Sequence, residues 1–180
     1  AAFALRIVLA MSIYGMKHDV DCYIAWGNHM RLVGPADFYA TVNFIDYPPG
    51  MLYVWWLNSV VLNWLEPVSQ GVMLLNIKSA PILADMAAAL ILFSLGKKKL
   101  PEKSAAAVSM LYAFNPAAIL NGAVWGQADG VLALGLLLVA LWAVERKWSR
   151  ALPVYVLCVL MKPQALMLGP LGLIALLYEV

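Results

Sequence analysis

Val72-Met73-Leu74-Leu75-Asn76-Ile77-Lys78-Ser79-Ala80-Pro81-Ile82-Leu83-Ala84-Asp85-Met86-Ala87-Ala88-Ala89-Leu90-Ile91-Leu92-Phe93-Ser94-Leu95-Gly96 is an apolar run with only two charged residues, Lys78 and Asp85. A helix needs about 18 or more such residues to cross a hydrocarbon layer about 30 Å thick. The rest of the chain has the same character, with 64% hydrophobic and 12% charged residues. Soluble domains carry roughly 45–50% and about 25%. The expectation is an all-α polytopic transmembrane helix bundle, with membrane lipid as its surroundings. A net charge of +2 is too small to suggest a nucleic-acid partner. Cys22 and Cys158 are not expected to form a structural disulfide.

Working outward from 72–96, the apolar segments are 1–16, 49–65, 104–120, 130–144 and 151–168, with a partial seventh at the end. Together they make one membrane module over residues 1–180. Arg6 in the first segment is expected to snorkel toward a headgroup. Pro48-Pro49 opens the second segment, where proline loses no intrahelical bond. No cationic leader precedes the first apolar run, and the chain reads as the amino-terminal module of a longer protein. The basic stretches 97–103 and 145–150 belong on the cytoplasmic side by the positive-inside rule, which puts Asn121–Asp129 outside. Residues 17–48 fall on that same face only if residues 50–65 dip in and return, and about fifteen residues are short for a span.

Residues 17–48 form a polar loop carrying a short surface helix and most of the carboxylates. Asp19, Tyr23, Trp26 and Met30 fall on one helical stripe, and Asp21 lies on another face. Asp19 is either an N-cap or a reactive carboxylate; Asp21 and Asp37 read as solvated acids. Lys78 and Asp85 lie two turns apart on one helix, separated by roughly 10 Å of rise. Each therefore needs its own partner, as polar glue between helices or near a phosphate. Lys162, beside Pro163, either faces a cavity at a helix irregularity or snorkels. Trp125 is either an interfacial anchor or a platform for a sugar. His18 and His29 lack zinc-site spacing, and no phosphate-cradling loop is present. Neither a metal nor a cofactor is expected.

Five patterns in order carry a resemblance. They are Asp19-x6-Trp26, Tyr47-Pro48-Pro49, Lys78-x2-Pro81-Ile82-Leu83-Ala84-Asp85, Asn115-Pro116-x4-Asn121-x3-Trp125-Gly126-Gln127-Ala128-Asp129, and Lys162-Pro163-Gln164. Together they resemble GT-C glycosyltransferases that use polyprenyl-phosphate sugars, and in particular bacterial members related to the GPI mannosyltransferase family. The resemblance implies an integral enzyme of the bacterial plasma membrane with its active site outside. It would move a hexose, mannose first, from a lipid-linked donor to an acceptor. It also implies Asp19 as general base, with Asp21 the next choice. Trp26, Asp46, Tyr47, Trp125, Gln127, Asp129, Lys162 and Gln164 would bind substrate. The rival expectation is a non-catalytic membrane subunit or transporter fragment, in which the acidic loop docks a partner.

Overall fold

The computed structural model describes residues 1–177, and all regular structure among them is helical. The helices are α1 (Ala2–Ser12), α2 (Lys17–Val33), α3 (Phe38–Thr41), α4 (Pro49–Leu65), α5 (Gln70–Gly96), α6 (Glu102–Ala113), α7 (Pro116–Ala118), α8 (Asp129–Val144), α9 (Trp148–Met161) and α10 (Gly169–Leu177). A π-helix, Ile119–Trp125, continues α7, and a 3₁₀ helix, Pro163–Leu168, joins α9 to α10. Two stretches, 70–96 and 102–125, are long and apolar enough to cross a membrane; residues 2–12, 129–144, 148–161 and 163–177 form shorter apolar helices.

α5 is the axis of the bundle. Ser69 caps its start by accepting from the Val72 amide at 3.4 Å, a preferred residue type there. α1 runs antiparallel to it: Arg6 stands beside Asp85, and Met11 beside Gly71. α6 returns along it, with Ser109 donating to the Ala89 carbonyl at 2.7 Å and Ala105 against Gly96. α8 and α9 form the next hairpin, packed through Leu132 and Cys158. The hairpin turns at 97–101 and 145–147 therefore share one end. Lys147, with Lys98 and Arg150 acting at longer range, holds the Glu145 carboxyl below its usual range.

At the opposite end α2 and α4 run parallel. Tyr23 stacks on Trp55 with ring centroids 4.2 Å apart, and eight residues further along α2 Arg31 reaches Ser59 at 3.1 Å. Gly27 allows this contact, because a Cβ there would lie 2.5 Å from the Trp55 carbonyl oxygen. The expected short surface helix is thus a 17-residue core element, with Val20, Tyr23, Trp26 and Met30 buried. Burial of that aromatic face outweighs the polar composition of 17–33.

The path of 49–65 follows from its ends. α4 starts with Gly50 against the Leu160 carbonyl, beside Lys162, and four residues after it ends α5 begins near Met11. Four residues span at most about 14 Å, whereas α4 is about 25 Å long. α4 therefore stays at the α2 end and does not run to the 97–101 turn. The helix of the first segment stops at Ser12, short of the expected 16, and the fourth reaches Trp125 through its π-helical turn.

Arg6 does not snorkel. It is fully buried, with Nε 3.4 Å from Asp85 Oδ2 and Nη1 donating to the Ala113 carbonyl. Tyr112 donates to the other Asp85 oxygen at 3.3 Å. The guanidinium turns inward because α5 presents a buried carboxylate at its level, and an unpaired charge there is far costlier than a pair. Arg6→Met should therefore destabilise the fold by about 3–5 kcal/mol, the typical cost of leaving one buried charge without its partner. Denaturation in mild detergent should show Arg6→Met/Asp85→Asn recovering much of that loss; a double variant no more stable than the single would mean that packing, not charge, dominates.

Candidate active site at the polar end of the bundle

Asp19 enters the site from the first turn of α2. The helix starts earlier than an Asp19 cap would require, with Met16 at the N-cap position and the Val20 amide donating to the Met16 carbonyl. The carboxylate is engaged elsewhere. Its Oδ2 accepts from Trp125 Nε1 at 2.8 Å and from Gln127 Nε2 at 2.7 Å. Among the described residues Oδ1 makes no hydrogen bond. Both donors are neutral, so Asp19 is oriented without a direct ion pair.

The chain delivers those donors by a change of helix type. Asn115 accepts from the Ala117 amide at 2.8 Å and opens α7 after α6 has ended, Pro116 taking the first helical position. The following turns widen into the π-helix, a form that recurs at functional sites. Gly126 closes it with φ +95, a left-handed conformation that favours glycine. The Gly126 and Gln127 amides both donate to the Asn121 carbonyl at 3.0 Å. That compact turn sets Trp125 and Gln127 over the start of α2.

Gln127 then bridges to the cation. Its Oε1 accepts from Lys162 Nζ at 3.1 Å and from the Tyr47 hydroxyl at 3.2 Å. Because Nε2 faces a carboxylate and Oε1 an ammonium, the amide orientation follows from its partners. Lys162 occupies the break the sequence suggested: α9 ends at Met161, Lys162 is extended (φ −151, ψ 127), and Pro163 begins the 3₁₀ turn. Its ammonium pairs with Asp129, lies 5.7 Å from the Tyr47 ring centroid, and is largely enclosed. Asn121 holds the second Asp129 oxygen at 2.9 Å.

These groups border a cleft of about 490 Å³ lined by Asp19, Trp26, Asp46, Tyr47, Gln127, Lys162 and Gln164, together with His18, Cys22, Tyr23, Phe44, Pro48 and Pro163. Trp26 is part of its floor: buried, it donates to the Phe44 carbonyl at 2.8 Å and packs on Tyr23, Tyr47 and Trp55. Trp125 and Asp129 do not line the cleft; they touch it through Asp19 and Lys162. Trp125 spends its indole N–H on the carboxylate.

Three of the expected residues stand apart. Asp21 is held by Tyr14 at 2.6 Å and Lys17 at 2.5 Å, outside the cleft. The Lys17 ammonium first, and then the Tyr14 hydroxyl, hold its carboxyl below the usual range. Lys78 donates to the carbonyls of Ile13 at 2.6 Å and Val124 at 2.9 Å. Asp85 belongs to the Arg6 pair. Lys78 and Asp85 thus have separate partners, and neither lines the cleft. Tyr23 and Asn121 were not singled out as site residues, although both stand in patterns legible in the sequence. Among the described residues no group of three or more His, Cys, Asp or Glu could hold a metal ion.

Comparison with protein-family models, curated proteins and solved structures found no match. The geometry itself is testable. In protein labelled with ¹⁵N-tryptophan, Asp19→Ala should move the Trp125 indole resonance strongly and leave that of Trp26, bonded to Phe44, in place. Equal movement of both would mean that α2 has shifted as a whole.

Proposed function

We propose that this chain is a module of an integral membrane glycosyltransferase of the GT-C type. It transfers a hexose, mannose first, from a polyprenyl-phosphate sugar to an acceptor hydroxyl at the external face of a bacterial plasma membrane. The observation that carries the reading is one carboxylate, Asp19, fixed on a single oxygen by Trp125 and Gln127, with Lys162 on the far side of Gln127 in the same cleft.

Asp19 Oδ1 accepts the acceptor's hydroxyl proton as that oxygen attacks the anomeric carbon. The bond to the donor phosphate breaks on the opposite face, and its electron pair leaves with the phosphate. Lys162 stabilises that charge both in the bound donor and on departure. A phosphate leaves without being protonated first, so a single carboxylate suffices where glycoside hydrolysis uses two. Tyr47, Asp46 and Gln164 supply polar contacts for sugar hydroxyls on a floor of Trp26 and Tyr23.

Charge distribution supports the orientation. Seven of the twelve Lys and Arg residues lie in 97–103 and 145–150, at the end away from the cleft. Positive residues close to span ends remain cytoplasmic, and the cleft then faces outward. The rival, a transporter fragment, would draw on charges within the helices. Arg6, Asp85 and Lys78 are instead engaged with each other or with backbone carbonyls.

With radiolabelled polyprenyl-phosphate mannose and the full-length protein, Asp19→Asn should lower transfer by about 10²–10⁴-fold, the range for loss of a general base, with its melting temperature unchanged. Asp21→Asn should keep wild-type turnover. Lys162→Met should raise the donor KM several-fold. Near-normal transfer by Asp19→Asn would remove the catalytic assignment. Orientation is read separately: cysteines introduced at the exposed positions Asp37 and Lys98 should react with an impermeant thiol reagent from opposite faces of sealed vesicles. Labelling of both from one face would contradict the topology.

A further inference from the structure

The end of the bundle away from the cleft gathers cations from two distant segments. Lys97, Lys98, Lys99 and Lys103 flank the turn between α5 and α6; Arg146, Lys147 and Arg150 flank the turn between α8 and α9. All seven are exposed. Only Glu102 and Glu145 stand against them, a surplus of five positive charges, whereas the whole chain carries +2. The rest of the molecule is therefore net acidic. The two turns face each other closely enough for Lys98 to act on the Glu145 carboxyl.

Both acids are already engaged. Glu102 lies 3.7 Å from Lys97, and Glu145 lies 2.7 Å from Lys147. Among the described residues the side chains of Lys98, Lys99, Lys103 and Arg150 make no hydrogen bond and no direct ion pair. Apolar side chains are interleaved with these cations. Leu100, which follows three lysines, is 44% exposed; Val144, beside Glu145, is 85% exposed; Leu152, two residues past Arg150, is 47% exposed. An acidic polypeptide would match the charges and leave that carbon in water. A phospholipid matches both, with phosphate at the level of the cations and acyl carbon beneath it. We propose that the facing turns 97–103 and 145–150 form a binding surface for anionic phospholipid. Its phosphate lies among Lys98, Lys99, Lys103 and Arg150, and its acyl chains lie on Val144 and Leu152. The bound headgroup relieves repulsion among the crowded cations and links the α5–α6 hairpin to the α8–α9 hairpin. This surface rests on the membrane placement proposed above and not on the transfer chemistry.

The test uses the full-length protein in phosphatidylcholine nanodiscs holding a trace of phosphatidylglycerol with a photoreactive headgroup. Nanodiscs offer both leaflets, so the readout does not depend on orientation. Label should map to 97–103 and 145–150 and exceed that from matching photoreactive phosphatidylcholine by about fivefold or more. Lys98→Gln/Lys99→Gln/Lys103→Gln/Arg150→Gln should abolish the preference. Lys98→Arg/Lys99→Arg/Lys103→Arg should keep it, and Lys17→Gln, at the polar end, should leave it unchanged. If the fourfold variant lowers the melting temperature, Lys98→Gln/Arg150→Gln takes its place and should reduce the preference at least twofold. Equal labelling by the two lipids, or a preference that survives the neutral variants, would overturn the proposal. So would polyglutamate binding that the neutral variant loses while no headgroup preference exists, which would assign the surface to an acidic polypeptide. Sugar transfer by a protein without the preference rejects the lipid surface alone. The preference in a protein that transfers no sugar rejects the transferase reading alone.

Discussion

Lys78 stands fully buried two turns into α5, with its ammonium shared between the carbonyls of Ile13 and Val124. Burying an ammonium costs several kcal/mol unless charge-assisted hydrogen bonds offset it. The carbonyls it finds belong to places where helices end: Ile13 follows the last residue of α1, and Val124 is the penultimate residue of the π-helix. Such carbonyls have no partner within their own helix, and they carry the negative end of its dipole. One cation therefore satisfies two chain ends and holds α1, α5 and the 119–125 turn together. Two residues beyond Ile13 the chain turns toward α2 and Asp19; one residue beyond Val124 it turns toward Gln127. The meeting of Asp19 with Trp125 and Gln127, across more than a hundred residues of sequence, depends on that junction.

Arg6 and Asp85 play the corresponding role two turns further along α5, joining α1, α5 and α6. Charges within the bundle thus join its helices, while Asp19 and Lys162 border the cleft at its polar end. The two kinds separate by what neutralises them. Interior ions meet backbone carbonyls or each other, whereas Asp19 meets the indole N–H of Trp125 and the amide of Gln127, and Lys162 meets that same amide and the Asp129 carboxylate. An aromatic layer of Tyr23, Trp26, Tyr47 and Trp55 lies beneath the polar groups. It gives α2 and α4 a rigid base, so that the cleft is built on packed helices despite the polar composition of 17–48.

Most of the site residues were visible in the chain as local patterns. Asp46, Tyr47, Gln127, Lys162 and Gln164 stand beside prolines or in a break between apolar runs, where irregular backbone exposes polar groups. Their roles relative to one another were less legible. Asp19 reads locally as a helix cap; the start of α2 at Lys17 rules that out, and the donors its carboxylate meets lie more than a hundred residues away. Asp21, two residues from Asp19 and on another face of α2, is held outside the cleft by Tyr14 and Lys17. Arg6 reads as a snorkelling cation until α5 is placed beside it.

Composition and periodicity by themselves determined an all-helical chain. Apolar runs of this length exceed a typical strand and bury their faces as packed helices, and the Pro and Gly residues between them mark most of the breaks. The course of α4 was open in the sequence, since a run of seventeen residues is compatible with crossing or turning back. Tertiary contact decided it: Tyr23 on Trp55 draws α4 alongside α2, and four residues cannot carry the chain from the far end back to the start of α5. The cleft was decided in the same way. Hydrogen bonds from Trp125 and Gln127 to Asp19, and from Lys162 to Gln127, join segments that no local pattern relates, because helix packing sets their separation and sequence spacing does not.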